Sequence, residues 1–121
     1  MGFNKKCIKT LLTLSFFLLS VPLFGQKKDH VLFISSYAYD WPTVPLQLKG
    51  FSSQLDSSVD VSYIFIDSKK VTKEELWPLL EKRIDLQAKE HGAFTVIVAD
   101  DDNALHYVFE HKDTSFKGIP V

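Results

Sequence analysis

The chain has 121 residues, 14 basic and 15 acidic side chains, and one cysteine, giving a net charge of −1 at pH 7. That length holds at most one ordinary domain, and the balanced charge makes nucleic acid and anionic membrane surfaces poor partners. A lone cysteine excludes an intrachain disulfide and a thiolate metal site.

Residues 1–25 read as a secretory signal. Lys5, Lys6 and Lys9 come first without an acid, the apolar run Leu11–Leu19 follows, and Ser20-Val21-Pro22-Leu23-Phe24-Gly25 makes the exit. This order of basic, apolar and small residues directs export, and the apolar run is short for a span of about 20 residues. Gly25 suits the position before cleavage and Leu23 suits its own poorly, so an uncleaved anchor stands as the alternative. Cys7 precedes the apolar run, where no lipoprotein cysteine would lie. Removing the three leader lysines leaves 11 basic against 15 acidic residues, a mature charge of −4. Residues 26–29 form a charged lead-in, and 30–121 form the domain, expected at the periplasm or the outer face of the cytoplasmic membrane.

Val31-Leu32-Phe33-Ile34 is a continuous apolar run, the mark of a strand buried on both faces. Val44, Leu48, Phe51 and Leu55 then fall on one helical face. Pro42 or Pro45 suits its first turn, and Gly50 is expected to admit close packing on the sheet. Residues 59–67 alternate as an edge strand. Thr72-Lys73-Glu74-Glu75 is a capping box opening a helix with Leu76, Leu79, Leu80 and Ile84 inward. Pro78 is expected to bend its early part. Phe94–Val98 repeats the buried-strand pattern. A third helix from about Asn103 places Ala104, Leu105 and Val108 inward. Ile119-Pro120-Val121 reads as the opening of a fourth strand.

Strands alternating with helices predict an α/β fold: a three-layer, Rossmann-like open parallel sheet of order 2-1-3-4 with right-handed crossovers. A sheet cut at the fourth strand leaves a bare edge. The chain is therefore expected to be the front part of a longer protein.

In such sheets ligands bind beyond the carboxyl ends of the strands, at the switch point in strand order. Three loops share that end: Ser35-Ser36-Tyr37-Ala38-Tyr39-Asp40-Trp41, Asp67-Ser68-Lys69-Lys70 and Asp100-Asp101-Asp102-Asn103. Tyr37, Tyr39 and Trp41 offer flat faces for stacking on a small organic ligand. Ser35, Ser36, Asp40, Asp67 and Asn103 offer hydrogen bonds, and a helix starting at Asn103 offers free N–H groups. Plainer roles compete. Asp100–Asp102 suit an N-cap and the helix dipole, and the two tyrosines suit loop packing. Three adjacent acids could hold a divalent cation, but no acid pair after the first strand supports them. Trp77 reads as helix-surface packing, and Lys69-Lys70 and Lys82-Arg83 as solvated charge. His30, His91, His106 and His111 show neither ligand spacing nor a paired nucleophile. With no glycine-flanked serine elbow and no Gly-rich phosphate loop, the residues form no catalytic constellation and imply no cofactor.

The stretch HVLFISSYAYDWPTVPLQLKGF resembles the opening of periplasmic-binding-protein-like domains of the ABC-transporter substrate-binding type. Ser36-Tyr37, Trp41 and Gly50 match that family's Ser-Tyr pair, following aromatic and late helical glycine. Ile66-Asp67-Ser68-Lys69 is similar to its Asp-Thr-Lys segment, with Ser68 for threonine. Asp101-Asp102-Asn103-Ala104-Leu105 and Phe116-Lys117-Gly118-Ile119-Pro120-Val121 resemble two further stretches. Asp100 departs from the pattern by adding an acid where a small residue is frequent, and the second lobe is missing.

The resemblance covers nearly all of 30–121. It implies the first lobe of a type I binding-protein-like fold, closing with a second lobe of the same polypeptide around a small molecule. Loop chemistry and resemblance together make the candidate ligand-binding residues Ser36, Tyr37, Tyr39, Asp40, Trp41, Asp67, Asp101, Asp102 and Asn103. The role implied is an extracytoplasmic sensor lobe of a membrane signalling protein such as a histidine kinase. A solute-binding subunit working with an ABC permease is the alternative. A receiver-like domain using Asp100–Asp102 and a Rossmann-like enzyme rank lower.

Overall fold

The computed structural model describes residues 28–121; the expected export signal lies outside the described residues. The element order is β1 (His30–Ser35), α1 (Val44–Ser52), β2 (Asp60–Phe65), α2 (Lys73–His91), β3 (Val96–Asp100) and α3 (Asp102–His111). The three strands form one parallel sheet in the order β2-β1-β3.

Every residue of β1 is buried, as its unbroken apolar run requires of a central strand. Leu32 and Ile34 face one way, with Ile64, Ile66 and Ile97 from the neighbouring strands. Leu80 and Ile84 of α2 and Ala104, Tyr107 and Val108 of α3 close over them. Phe33 faces the other way, onto Phe51 of α1 with ring centroids 4.9 Å apart. Helices thus cover both faces of the sheet. Each fully buried Leu or Ile contributes about 1.5–3 kcal/mol, so this layer is the main source of stability.

Local chemistry sets the helix ends. Thr72 and Glu75 complete the capping box, with Thr72 Oγ1 donating to Glu75 Oε2 at 2.9 Å. Gly92 ends α2 at φ 93°, where a side chain would be strained. The α2 helix runs on through Pro78.

Several expectations need correction. Leu79 is 64% exposed. The inward residues of α2 are Leu76, Trp77, Leu80, Ile84 and Ala88, a strip too narrow to take in Leu79. Leu105 is likewise exposed, and Tyr107 takes the inward place beside Val108. Gly50 is exposed, and a Cβ there would meet no atom within 4 Å, so close packing does not explain it. The third strand is Val96–Asp100, two residues later than its apolar run; Thr95 precedes it and donates its N–H to the His30 carbonyl at 2.8 Å.

His30 is also buried. Its Nδ1 lies 2.8 Å from the Gly92 carbonyl and its Nε2 2.8 Å from Ser62 Oγ, which lies 2.8 Å from Gln87 Oε1. A carbonyl only accepts, so Nδ1 carries the proton. This chain ties the amino end of the sheet to α2. It also explains why Ser62, on the same face as Ile64, is buried despite its polarity.

Candidate functional site

Parallel register aligns the strand ends: Ser35 lies opposite Phe65 on one side and Asp100 on the other. The loops carrying Trp41, Asp67 and Asp101 therefore leave the sheet at one rim.

Ser35 and Ser36 hold that rim together. Their carbonyls accept from Ile66 N at 2.8 Å and Ser68 N at 2.9 Å. Ser35 Oγ donates to Asp100 Oδ2 at 3.0 Å. Ser36 Oγ donates to the Asp100 carbonyl at 2.9 Å and accepts from Ala104 N at 2.9 Å. Asp101 is the sequence-local cap of α3, but its carboxylate reaches only Asp102 N, at 2.7 Å. A serine just past the end of β1 thus satisfies the third N–H of a helix 68 residues away. Ser36 is 0% exposed, so its hydroxyl serves the scaffold of the rim.

The aromatic residues sit further out. Tyr37 and Trp41 stack with centroids 5.2 Å apart and planes 23° from parallel. Tyr39 is exposed and stands edge-on to Phe65. Lys69, expected as solvated charge, places its ammonium 5.2 Å from the Tyr37 centroid and 5.7 Å from that of Trp41. Asp40 is exposed nearby in sequence. Desolvation raises the pKa of the Tyr37 hydroxyl, and the negative charges of Asp101, Asp102 and Asp100 raise it further.

Two rim residues have unusual backbones. Asp67 is left-handed at φ 55°, which aspartate tolerates, and it pairs with Lys70 at 3.4 Å. Asp101 lies at φ 75°, ψ 173°, a region nearly reserved for glycine and worth about 1–3 kcal/mol of strain. Asn103 Nδ2 donates to Ser68 Oγ at 3.1 Å, joining the second and third loops. Asp102 is exposed in the first turn of α3.

A cleft of about 330 Å³ opens beside Asn103, between the second loop and the starts of α2 and α3. Lys69, Lys70, Lys73, His106 and Trp77 line it. Trp77 is more than surface packing. Its ring stands against Tyr107 at 5.1 Å, and Lys73 Nζ lies 4.0 Å above it while bonding Glu110. No motif announces this cleft, because its lining joins residues 66–77 to Asn103 and His106, two stretches that meet only in space. Among the described residues, no group of three or more His, Cys, Asp and Glu side chains is arranged to hold a metal ion, and no helix is long and apolar enough to cross a membrane.

The fold and site define an open parallel α/β domain with an aromatic and acidic rim beyond the carboxyl ends of its strands. Comparisons with known protein families, curated proteins and solved structures give no match.

Proposed function

We propose that this chain is an extracytoplasmic small-molecule-binding lobe of the periplasmic-binding-protein-like type, serving a membrane signalling protein such as a sensor histidine kinase. The observation that carries the reading is the shared rim. Parallel register sends Tyr37, Trp41, Asp67 and Asp101 to one end of the sheet, where open α/β folds take ligands. Strain held at Asp101 adds support, since such backbones concentrate at functional sites.

In this reading a second lobe of the same polypeptide closes over the rim, and ligand acts by favouring the closed state. A fourth strand would extend the three-stranded sheet beside β3, in the order 2-1-3-4. The bond from Ile97 N to the Pro120 carbonyl at 2.9 Å supports that placement. The first 25 residues direct export.

Two measurements test the proposal. An alkaline phosphatase reporter fused after Val121 is active only outside the cytoplasm; an inactive, stably expressed fusion refutes export. The second is a thermal-shift screen of amino acids, amines, sugars and nucleosides against the complete protein. It should give a hit that Trp41→Ala and Asp67→Ala weaken without changing the circular dichroism spectrum. Full affinity in both variants removes the rim from the site.

A further inference from the structure

The rim is acidic, yet its aromatic pair already carries a cation. Asp40, Asp67, Asp100, Asp101 and Asp102 face only Lys69 and Lys70 across the three loops. Lys70 is taken by Asp67. Among the described residues no carboxylate forms an ion pair with Lys69, although five lie in the same loops. Its ammonium instead sits over both stacked rings, where the negative π-faces attract a cation. Trp41 remains 38% exposed, so the ledge is open to solvent. Lys69 hangs from the loop after β2 on a flexible four-carbon stem and can leave.

We propose that the Tyr37–Trp41 ledge is the subsite for a positively charged nitrogen of the ligand, an organic ammonium group, and that Lys69 occupies it as a tethered competitor until the ligand displaces it. The inference rests on the rim being the ligand site and adds the ligand's charge. An exposed cation–π contact that holds Lys69 down most of the time weakens apparent affinity by the fraction of ledges left free. Freeing the ledge should therefore tighten ammonium binding about 3- to 6-fold.

The test is an NMR titration of the full chain, following the indole N–H signals of its two tryptophans, Trp41 and Trp77. The probe is n-butylammonium, with 1-butanol and butanoate as neutral and anionic matches. The Trp41 signal should move saturably with n-butylammonium alone, while Trp77 stays in place as an internal control. Lys69→Gln should tighten n-butylammonium binding about 3- to 6-fold. Lys70→Gln removes the same charge without clearing the rings and should change it less than about 2-fold. Tyr37→Ala should abolish the Trp41 response.

Equal responses to butanoate overturn the inference, as does a Lys69→Gln affinity that is unchanged or no better than that of Lys70→Gln. If a screened metabolite binds through Trp41 while n-butylammonium does not, the ammonium subsite falls and the ligand-binding reading stands. If neither binds, both fall.

Discussion

Replacing Ser36 with alanine removes one oxygen and should cost about 2 kcal/mol. The hydroxyl accepts the Ala104 N–H at 2.9 Å and donates to the Asp100 carbonyl at 2.9 Å. The two losses are unequal. The Asp100 carbonyl keeps the Ser36 N–H at 3.0 Å, so it stays satisfied. The Ala104 N–H has no such reserve: both Ser36 and Ala104 are 0% exposed, and the Asp101 carboxylate is bonded two residues earlier, to Asp102 N. An orphaned buried donor costs about 1–3 kcal/mol, and losing a helix cap costs about 0.5–2 kcal/mol. These describe the same lost bond and are not summed. For a domain of this size about 2 kcal/mol lowers the Tm by about 8–16 °C. Urea denaturation followed by circular dichroism measures the loss, with an unchanged m-value showing that only stability moved. Ser68→Ala is the matched control, since its hydroxyl only accepts from the exposed Asn103 amide; it should cost under about 0.5 kcal/mol. A Ser36→Ala cost equal to that of the control would refute the assignment of Ser36 as the remote cap.

Three further outcomes are expected. Tyr107→Phe should stabilise the protein by about 1 kcal/mol in chemical denaturation, because the Tyr107 hydroxyl is buried without a hydrogen-bond partner; a loss of stability would show that the hydroxyl has one. Asp101→Gly should raise the urea midpoint by about 1 kcal/mol equivalent by relieving the backbone at φ 75°, while weakening ligand binding at the rim; a destabilised variant would show that no strain is held there. The hydrogen bond from Lys73 chiefly holds the Glu110 carboxyl below its usual pKa, helped by the charges of Lys73, His106 and His111 and opposed by desolvation. A depressed carboxyl pKa stabilises the fold above the unfolded value, and that contribution fades as pH falls through the lower folded one. Glu110→Gln should therefore flatten the acid limb of a stability-versus-pH curve below the ordinary glutamate range. An unchanged limb would show that the Lys73–Glu110 pair adds nothing to stability.

The parallel sheet was legible because its strands obey simple patterns. A β1 that is apolar without a break from Val31 to Ile34 has to be central, and a half-polar β2 belongs at an edge. Those two facts fix the shared rim and the loops that reach it. Register at the residue level was less legible. Apolar content placed the third strand two residues early, because Phe94 belongs to the core without belonging to the ladder. Leu79 and Leu105 were misassigned because a leucine at helical spacing does not reveal how wide a strip the neighbouring elements cover. Contacts between distant segments left no trace in composition at all. Ser36 capping α3, His30 bonding Ser62, and Lys69 lying over Tyr37 and Trp41 each depend on loops meeting in space. Lys69 beside a second lysine looks like ordinary surface charge until the aromatic pair is set beneath it.

The two serines at the end of β1 bind the strand ends on both sides and the start of α3 into one hydrogen-bonded piece. Loops fastened this way lose most of their conformational freedom when the chain folds, long before a ligand arrives. A molecule landing on the rim then meets a surface with little left to order, so association forfeits less entropy than at a floppy binding loop. Such a rim is poorly suited to remoulding itself around different guests. It is better suited to passing a bound molecule's pull, undamped, into the whole sheet and the helices packed on it.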